Sequence, residues 1–123
     1  MAKRPKVLAK KLVKFVLSKK AEEVLLLDLR KITTMTDFFV ICTGVSEVQV
    51  RAIADAIIEG CKKAGIEIYQ VEGYEAGTWV LVDLIDVVVH IFQPEVRRYY
   101  QLERLWGDAD TEEFSFEGEE AVS

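Results

Sequence analysis

The side chains of this chain that could do chemistry are few, and most lie between Val71 and Trp106, in VEGYEAGTWVLVDLIDVVVHIFQPEVRRYYQLERLW. His90 is the only histidine in 123 residues, so a catalytic triad or zinc cluster built on several imidazoles is excluded. Beside Trp79 it reads either as a packed, hydrogen-bonded structural residue or as a contact for a partner. Asp83 and Asp86 are separated by two residues, a spacing at which carboxylates ordinarily serve a turn. A second candidate is Cys42-Thr43-Gly44-Val45-Ser46, a turn between a strand and a helix, because amides at a helix N-terminus attract anions. No Gly-Lys-Ser/Thr follows it and it is not GxGxxG. Cys42 and Cys61 fall in a strand and on the apolar side of a helix. They read as small buried hydrophobes rather than as a disulfide or metal pair, which implies a reducing cytosol or an equivalent organelle matrix.

A Gly-x-Ser turn ahead of a helix also suits nucleotidyl transfer. That chemistry needs two carboxylates at i and i+2 on one strand face, to hold the metal ions that carry the triphosphate. No such pair follows Ser46 on a nearby strand. A nucleotidyltransferase-like enzyme using the CTGVS turn therefore stands only as the alternative to a binding protein.

The segments Thr78–Val82 and Val87–Phe92 are rich in β-branched and aromatic residues and read as a hairpin. With Leu84 and Ile85 as the loop residues, Asp83 faces Asp86, Val82 faces Val87, and Trp79 faces His90. Alternation then puts Val80, Val82, Val87, Val89 and Ile91 on a core face. Trp79, Leu81, Asp83, Asp86, Val88, His90 and Phe92 share the other, whose mixture of indole, imidazole and carboxylates suits contact with another macromolecule.

Around this hairpin the pattern predicts one domain. Pro5 opens a helix to about Leu17, with Leu8, Leu12, Phe15 and Val16 on one stripe. Strands follow at Glu23–Leu29 and Asp37–Thr43. Ser46 and Gln49 form a capping box for a central helix with Val50, Ile53, Ile57 and Cys61 inward and Gly65 as its cap. A third strand runs from Ile66 to Val71, and Pro94 starts a last helix whose inner face is Val96, Tyr99, Leu102, Leu105 and Trp106. The fold class is α/β (α+β), a mixed sheet of about five strands with helices packed on it. The domain is expected over 1–106, followed by an acidic, disordered tail over 107–123.

Charge is unevenly spread. Residues 1–20 hold eight bases and no acid, residues 21–106 eight bases against fourteen acids, and residues 107–123 seven acids and no base. An acidic centre argues against gripping nucleic acid with the main surface. The basic N-terminus leaves room for minor RNA contact, although a solvated helix face explains it as well. No apolar run approaches the ~20 residues of a membrane span, and the basic N-terminus lacks the apolar core of a secretory signal.

The blocks TDFFVICTGVS, VEGYEAGTWVLVDL, DVVVHIF and RRYYQLERLW together resemble the ribosomal silencing factors, also called Iojap-like proteins, over roughly Val7 to Trp106. The resemblance implies a domain similar to the nucleotidyltransferase fold without its catalytic residues, and no cofactor. It implies a translational repressor that binds the large ribosomal subunit, through a ribosomal protein at the inter-subunit face. There it blocks joining of the small subunit and damps translation when nutrients are scarce. A role in large-subunit biogenesis, a homodimer when free and a cytoplasmic location fit the same family. Partner-binding residues are expected at Glu72, Trp79, Leu81, Asp83, Asp86, Val88 and His90, with no catalytic or metal site. One departure stands out: the family commonly has Gly where this chain has Ile85, and a β-branched residue suits a tight turn poorly.

Overall fold

Proline at the first helical position starts α1 (Pro5–Leu17), which buries Leu8, Ala9, Leu12, Val13 and Val16. The computed structural model describes residues 4–100 and 107–115. After α1 come β1 (Glu22–Asp28), β2 (Phe38–Thr43), α2 (Glu47–Ala64), β3 (Gln70–Glu72), β4 (Trp79–Asp83), β5 (Val87–Phe92), α3 (Pro94–Tyr100) and β6 (Asp110–Phe114). They form one six-stranded mixed sheet in the order β3-β4-β5-β2-β1-β6, in which β2 and β5 are parallel and the other neighbours antiparallel.

The helices α1 and α2 pack with Val24, Leu26, Phe38, Val40, Val80, Val82, Val87, Val89 and Ile91 in the main core. They approach closely because α2 carries Gly60 at the crossing. A Cβ there would lie 2.6 Å from the Phe15 ring. The capping box closes in altered form. Ser46 Oγ accepts the Gln49 N–H at 3.1 Å, but Gln49 Oε1 accepts from Val45 rather than Ser46, at 2.8 Å. The Gln49 amide also donates to the Lys19 and Lys20 carbonyls at 3.1 and 3.2 Å. One side chain thereby joins the start of α2 to the end of α1.

On the other side of the sheet a smaller cluster of Leu27, Leu29, Ile41 and Phe92 takes contacts from Val96 of α3, from Trp79 and from Ala109. Arg97, buried on α3, donates from Nη1 to Thr43 Oγ1 and to the Glu23 carbonyl, both at 2.8 Å. Glu23 sits at φ 50 in the β1 bulge, so this guanidinium satisfies a carbonyl that the irregular ladder leaves out.

Three expectations are corrected. The hairpin tip is Ile85-Asp86, not Leu84-Ile85: the Leu84 N–H donates to Val87 O at 2.9 Å, and Trp79 pairs with Phe92, Leu81 with His90 and Asp83 with Val88. Moving the tip by one residue moves every partner by two, an even shift, so the strand residues keep the faces expected for them, while Asp86 leaves the open face for the turn. Ile85 itself is at φ 74 with the Asp86 N–H donating to Leu84 O at 2.9 Å, a tight turn in which a glycine would be relaxed. Second, part of the stretch expected to be disordered is a strand: 110–114 pairs along β1, anchored by buried Phe114 and by Lys10–Glu112 at 3.6 Å, while 116–123 lie outside the described residues. Its alternation puts Glu112 and Phe114 toward α1 and Thr111 and Glu113 away, which overall acidity hid. Third, the strand expected over Ile66–Val71 is only the three residues of β3. The side chains expected on the last helix at Tyr99, Leu102, Leu105 and Trp106 lie outside the described residues.

Candidate partner-binding site on the open sheet face

Cross-strand partners share a face, so the register defines rows of side chains on the face away from α1 and α2. Ile41, His90, Leu81 and Glu72 form one row, Phe39, Val88 and Asp83 the next, and Thr43, Phe92 and Trp79 a third. Ile41 and Phe92 are fully buried, whereas Trp79, Leu81, Asp83, Val88 and Phe39 remain half-buried. Glu72 is exposed on the edge strand β3.

His90 sits among aromatics, with Phe39 edge-on at 4.6 Å between centroids and Phe92 stacked at 5.9 Å. Trp79 Nε1 donates to His90 Nδ1 at 3.2 Å. An indole N–H can only donate, so Nδ1 must be the bare nitrogen and Nε2 carries the proton. Burial in this apolar surround pushes the imidazole from 6.5 down to about 4, which keeps it neutral at physiological pH. His90 is 5 % exposed, and among the described residues its Nε2 has no hydrogen-bond partner.

Next to it is a pocket of about 300 Å³ lined by Met35, Phe39, Leu81, Ile85 and Val88, with Asp83, His90, Thr33 and Thr36 supplying polar groups. The hairpin tip builds one wall. Asp83 Oδ1 accepts the Ile85 N–H at 2.8 Å, a turn-forming bond. Thr36 Oγ1 donates to Ile85 O at 3.0 Å, and the Asp37 and Phe38 amides both donate to Asp86 O. The β1–β2 connection is therefore clamped to the tip, and Met35 (85 % exposed) and Ile85 (54 % exposed) extend the apolar rim into solvent.

Of the residues expected to bind a partner, Leu81, Asp83, Val88 and His90 meet in this pocket and Trp79 adjoins it. Glu72 lies beyond Leu81 at the sheet edge, and exposed Asp86 is in the turn rather than opposite Asp83. Sequence reasoning missed Met35, Phe39, Thr36 and Ile85. Phe39 was within reach, because DFFVICT alternates and its odd positions share the open face; the loop residues depend on a contact 49 residues apart in the chain.

The CTGVS turn is spent on the fold. Besides the Val45 and Ser46 bonds to Gln49, the Gly44 N–H donates to Phe92 O at 2.8 Å, and Thr43 Oγ1 accepts from Arg97. Both cysteines are buried free thiols, pushed up to about 12 (Cys42) and about 11 (Cys61) by desolvation. Among the described residues no group of three or more His, Cys, Asp or Glu is placed to hold a metal ion, and no helix is long and apolar enough to cross a membrane.

The family model described as ribosomal silencing factor during starvation matches residues 2–122. The chain belongs to that family. Within it, the chain is 54 % identical over 95 residues to the ribosomal silencing factor of Halalkalibacterium halodurans, covering 77 % of this chain and 81 % of that protein. A crystal structure of a Chromobacterium violaceum protein superposes with a TM-score of 0.83 at 38 % identity, covering 85 % of this chain and 88 % of the other. A mouse protein named for mitochondrial assembly of the ribosomal large subunit is 31 % identical over 98 residues, which span 77 % of this chain and 43 % of its own length. Membership in the ribosomal silencing factor family agrees with the resemblance drawn from the sequence blocks, and the fold agrees with the mixed α/β sheet.

Proposed function

We propose that this ribosomal silencing factor binds the large ribosomal subunit with its open sheet face, against a ribosomal protein at the inter-subunit side, and keeps the small subunit from joining. Translation is damped by occupancy, without catalysis, as suits a response to scarce nutrients. The observation that carries this reading is the half-buried group of Trp79, Leu81, Asp83 and Val88 on one sheet face, an apolar surface with an acid that α1 and α2 leave uncovered. Partner-binding roles fall to Trp79, Leu81, Val88 and His90 as apolar and hydrogen-bonding contacts, and to Glu72, Asp83 and Asp86 as charges steering a basic protein. RNA contact by the N-terminal helix is secondary, since Lys10 is already engaged with Glu112. Non-enzymatic action is supported by the CTGVS turn, whose Gly44 and Val45 amides are committed to the fold, and by Asp83, whose carboxylate holds the turn. The name of the mouse relative favours a second role in large-subunit assembly.

Sedimentation with separated subunits tests the binding. The protein should travel with large subunits and not with small ones; migration with small subunits, or with neither, would refute the reading.

A further inference from the structure

Among the described residues, the open face holds a buried polar group without a hydrogen-bond partner. His90 is 5 % exposed, its Nδ1 is taken by Trp79, and its Nε2 has no partner among the described residues. A buried donor without an acceptor is costly, and a fold ordinarily supplies one. His90 is one wall of a pocket of about 300 Å³, with Nε2 buried behind that wall, and the remaining walls are mostly apolar: Phe39, Leu81, Val88, Ile85 and Met35. What would complete this site is an apolar group with a neutral hydrogen-bond acceptor beside it.

We propose that this pocket receives one apolar side chain of the large-subunit protein partner, and that His90 Nε2 donates to a main-chain carbonyl or hydroxyl beside that side chain. This rests on the large-subunit reading above and names the point on the face where the partner is gripped. Three observations fix the chemistry of the occupant. The donor is neutral, so it suits a neutral acceptor and gives no charge compensation to a phosphate. The charged residue in the lining is Asp83, with Asp86 beside it in the tip, and these repel a nucleic-acid backbone while attracting a basic protein. The exposed Met35 and Ile85 continue the apolar surface beyond the pocket, so the occupant belongs to a macromolecule whose surface runs on over the rim.

The experiment uses the full chain and purified large ribosomal subunits, read by co-sedimentation across a protein titration. Val88→Trp fills the pocket from its half-buried wall and should weaken binding at least tenfold. His90→Phe keeps a ring in place but removes the Nε2 donor, and also the acceptor of the Trp79 N–H; binding should fall about tenfold with only a small change in melting temperature. A His90 of purely structural value would show the opposite pattern, lost stability with normal binding. Val48→Trp, on the exposed first turn of α2, should bind like wild type. Photoreactive benzoylphenylalanine in place of Met35 should cross-link to a ribosomal protein, identified by mass spectrometry of the peptide. Cross-links to ribosomal RNA, or to a second copy of this chain, would overturn the protein-partner assignment. Wild-type affinity in folded Val88→Trp and His90→Phe, with wild type itself bound, would overturn the pocket alone. If Val88→Trp fails to fold, His90→Phe and the cross-link decide. Absence of wild-type binding would overturn the large-subunit reading and the pocket with it.

Discussion

The two faces of the central sheet are made from alternate residues of the same strands, yet they end in different states. On the helix-covered face Val80, Val82, Val87, Val89 and Ile91 are all 0 % exposed, with no polar group among them. One residue away in each case, Trp79, Leu81, Asp83 and Val88 are half-buried, and among the described residues His90 Nε2 has no hydrogen-bond partner. The first face is finished by α1 and α2. Among the described residues the second is packed in part, by Val96 of α3 and Ala109, and His90 Nε2 has no acceptor there. Period-two alternation thus gives one hairpin a core face and an open face, and recognition is proposed for the second.

Breaking the finished face should cost the most. Ile91→Ala should lower stability by about 3–4 kcal/mol through a core cavity, measured by denaturant unfolding, while the folded fraction keeps its affinity for large subunits. A matching loss of affinity would mean that the faces are coupled.

The next effect belongs to His90 and depends on pH. Its folded value of about 4 lies below the unfolded 6.5, so the unfolded chain binds more protons in that window. Stability is fully present above pH 6.5, falls as pH drops from 6.5 toward 4, and levels off below, a loss of about 3 kcal/mol from this group. His90→Phe should flatten that part of the profile. An unchanged slope would show that carboxylates alone produce it.

On the open face, Trp79→Ala should weaken large-subunit binding by about 2 kcal/mol or more, the scale of an interface hot spot. It should also cost some stability, because the indole packs on Phe92 at 4.8 Å and bonds to His90. Normal binding by the folded variant would move the interface off this face.

The smallest change separates the two roles at one position. Ile85→Gly relaxes a β-branched residue at φ 74 and should stabilise the fold by up to about 1 kcal/mol. It also removes an apolar wall of the pocket, so binding to large subunits should weaken even as the melting temperature rises. Movement of both in the same direction would argue that Ile85 is only a strained turn residue.

Much of this division was legible in the sequence, and for physical reasons. Valines at 80, 82, 87 and 89 announce a buried face by alternation alone, and that reading survived a wrong hairpin tip because the resulting shift was even. The tip was missed because Leu84 looks like a loop residue but is 7 % exposed, buried with the core. β6 was missed because acidity over seventeen residues outweighed the short alternation that ends at Phe114. The pocket was the least legible element. It is closed by a hydroxyl–carbonyl bond from Thr36 to Ile85, and no local pattern encodes a contact between a loop and a hairpin tip so far apart in the chain.

Subunit joining is the decisive measurement. Separated ribosomal subunits are mixed with rising amounts of the protein, and joined ribosomes are quantified on sucrose gradients while nucleotide hydrolysis is monitored. Joined ribosomes should decline in step with occupancy of large subunits, reaching a minimum near one protein per subunit, with no nucleotide consumed. Normal joining at full occupancy, or inhibition that requires turnover of a nucleoside triphosphate, would contradict silencing by occlusion.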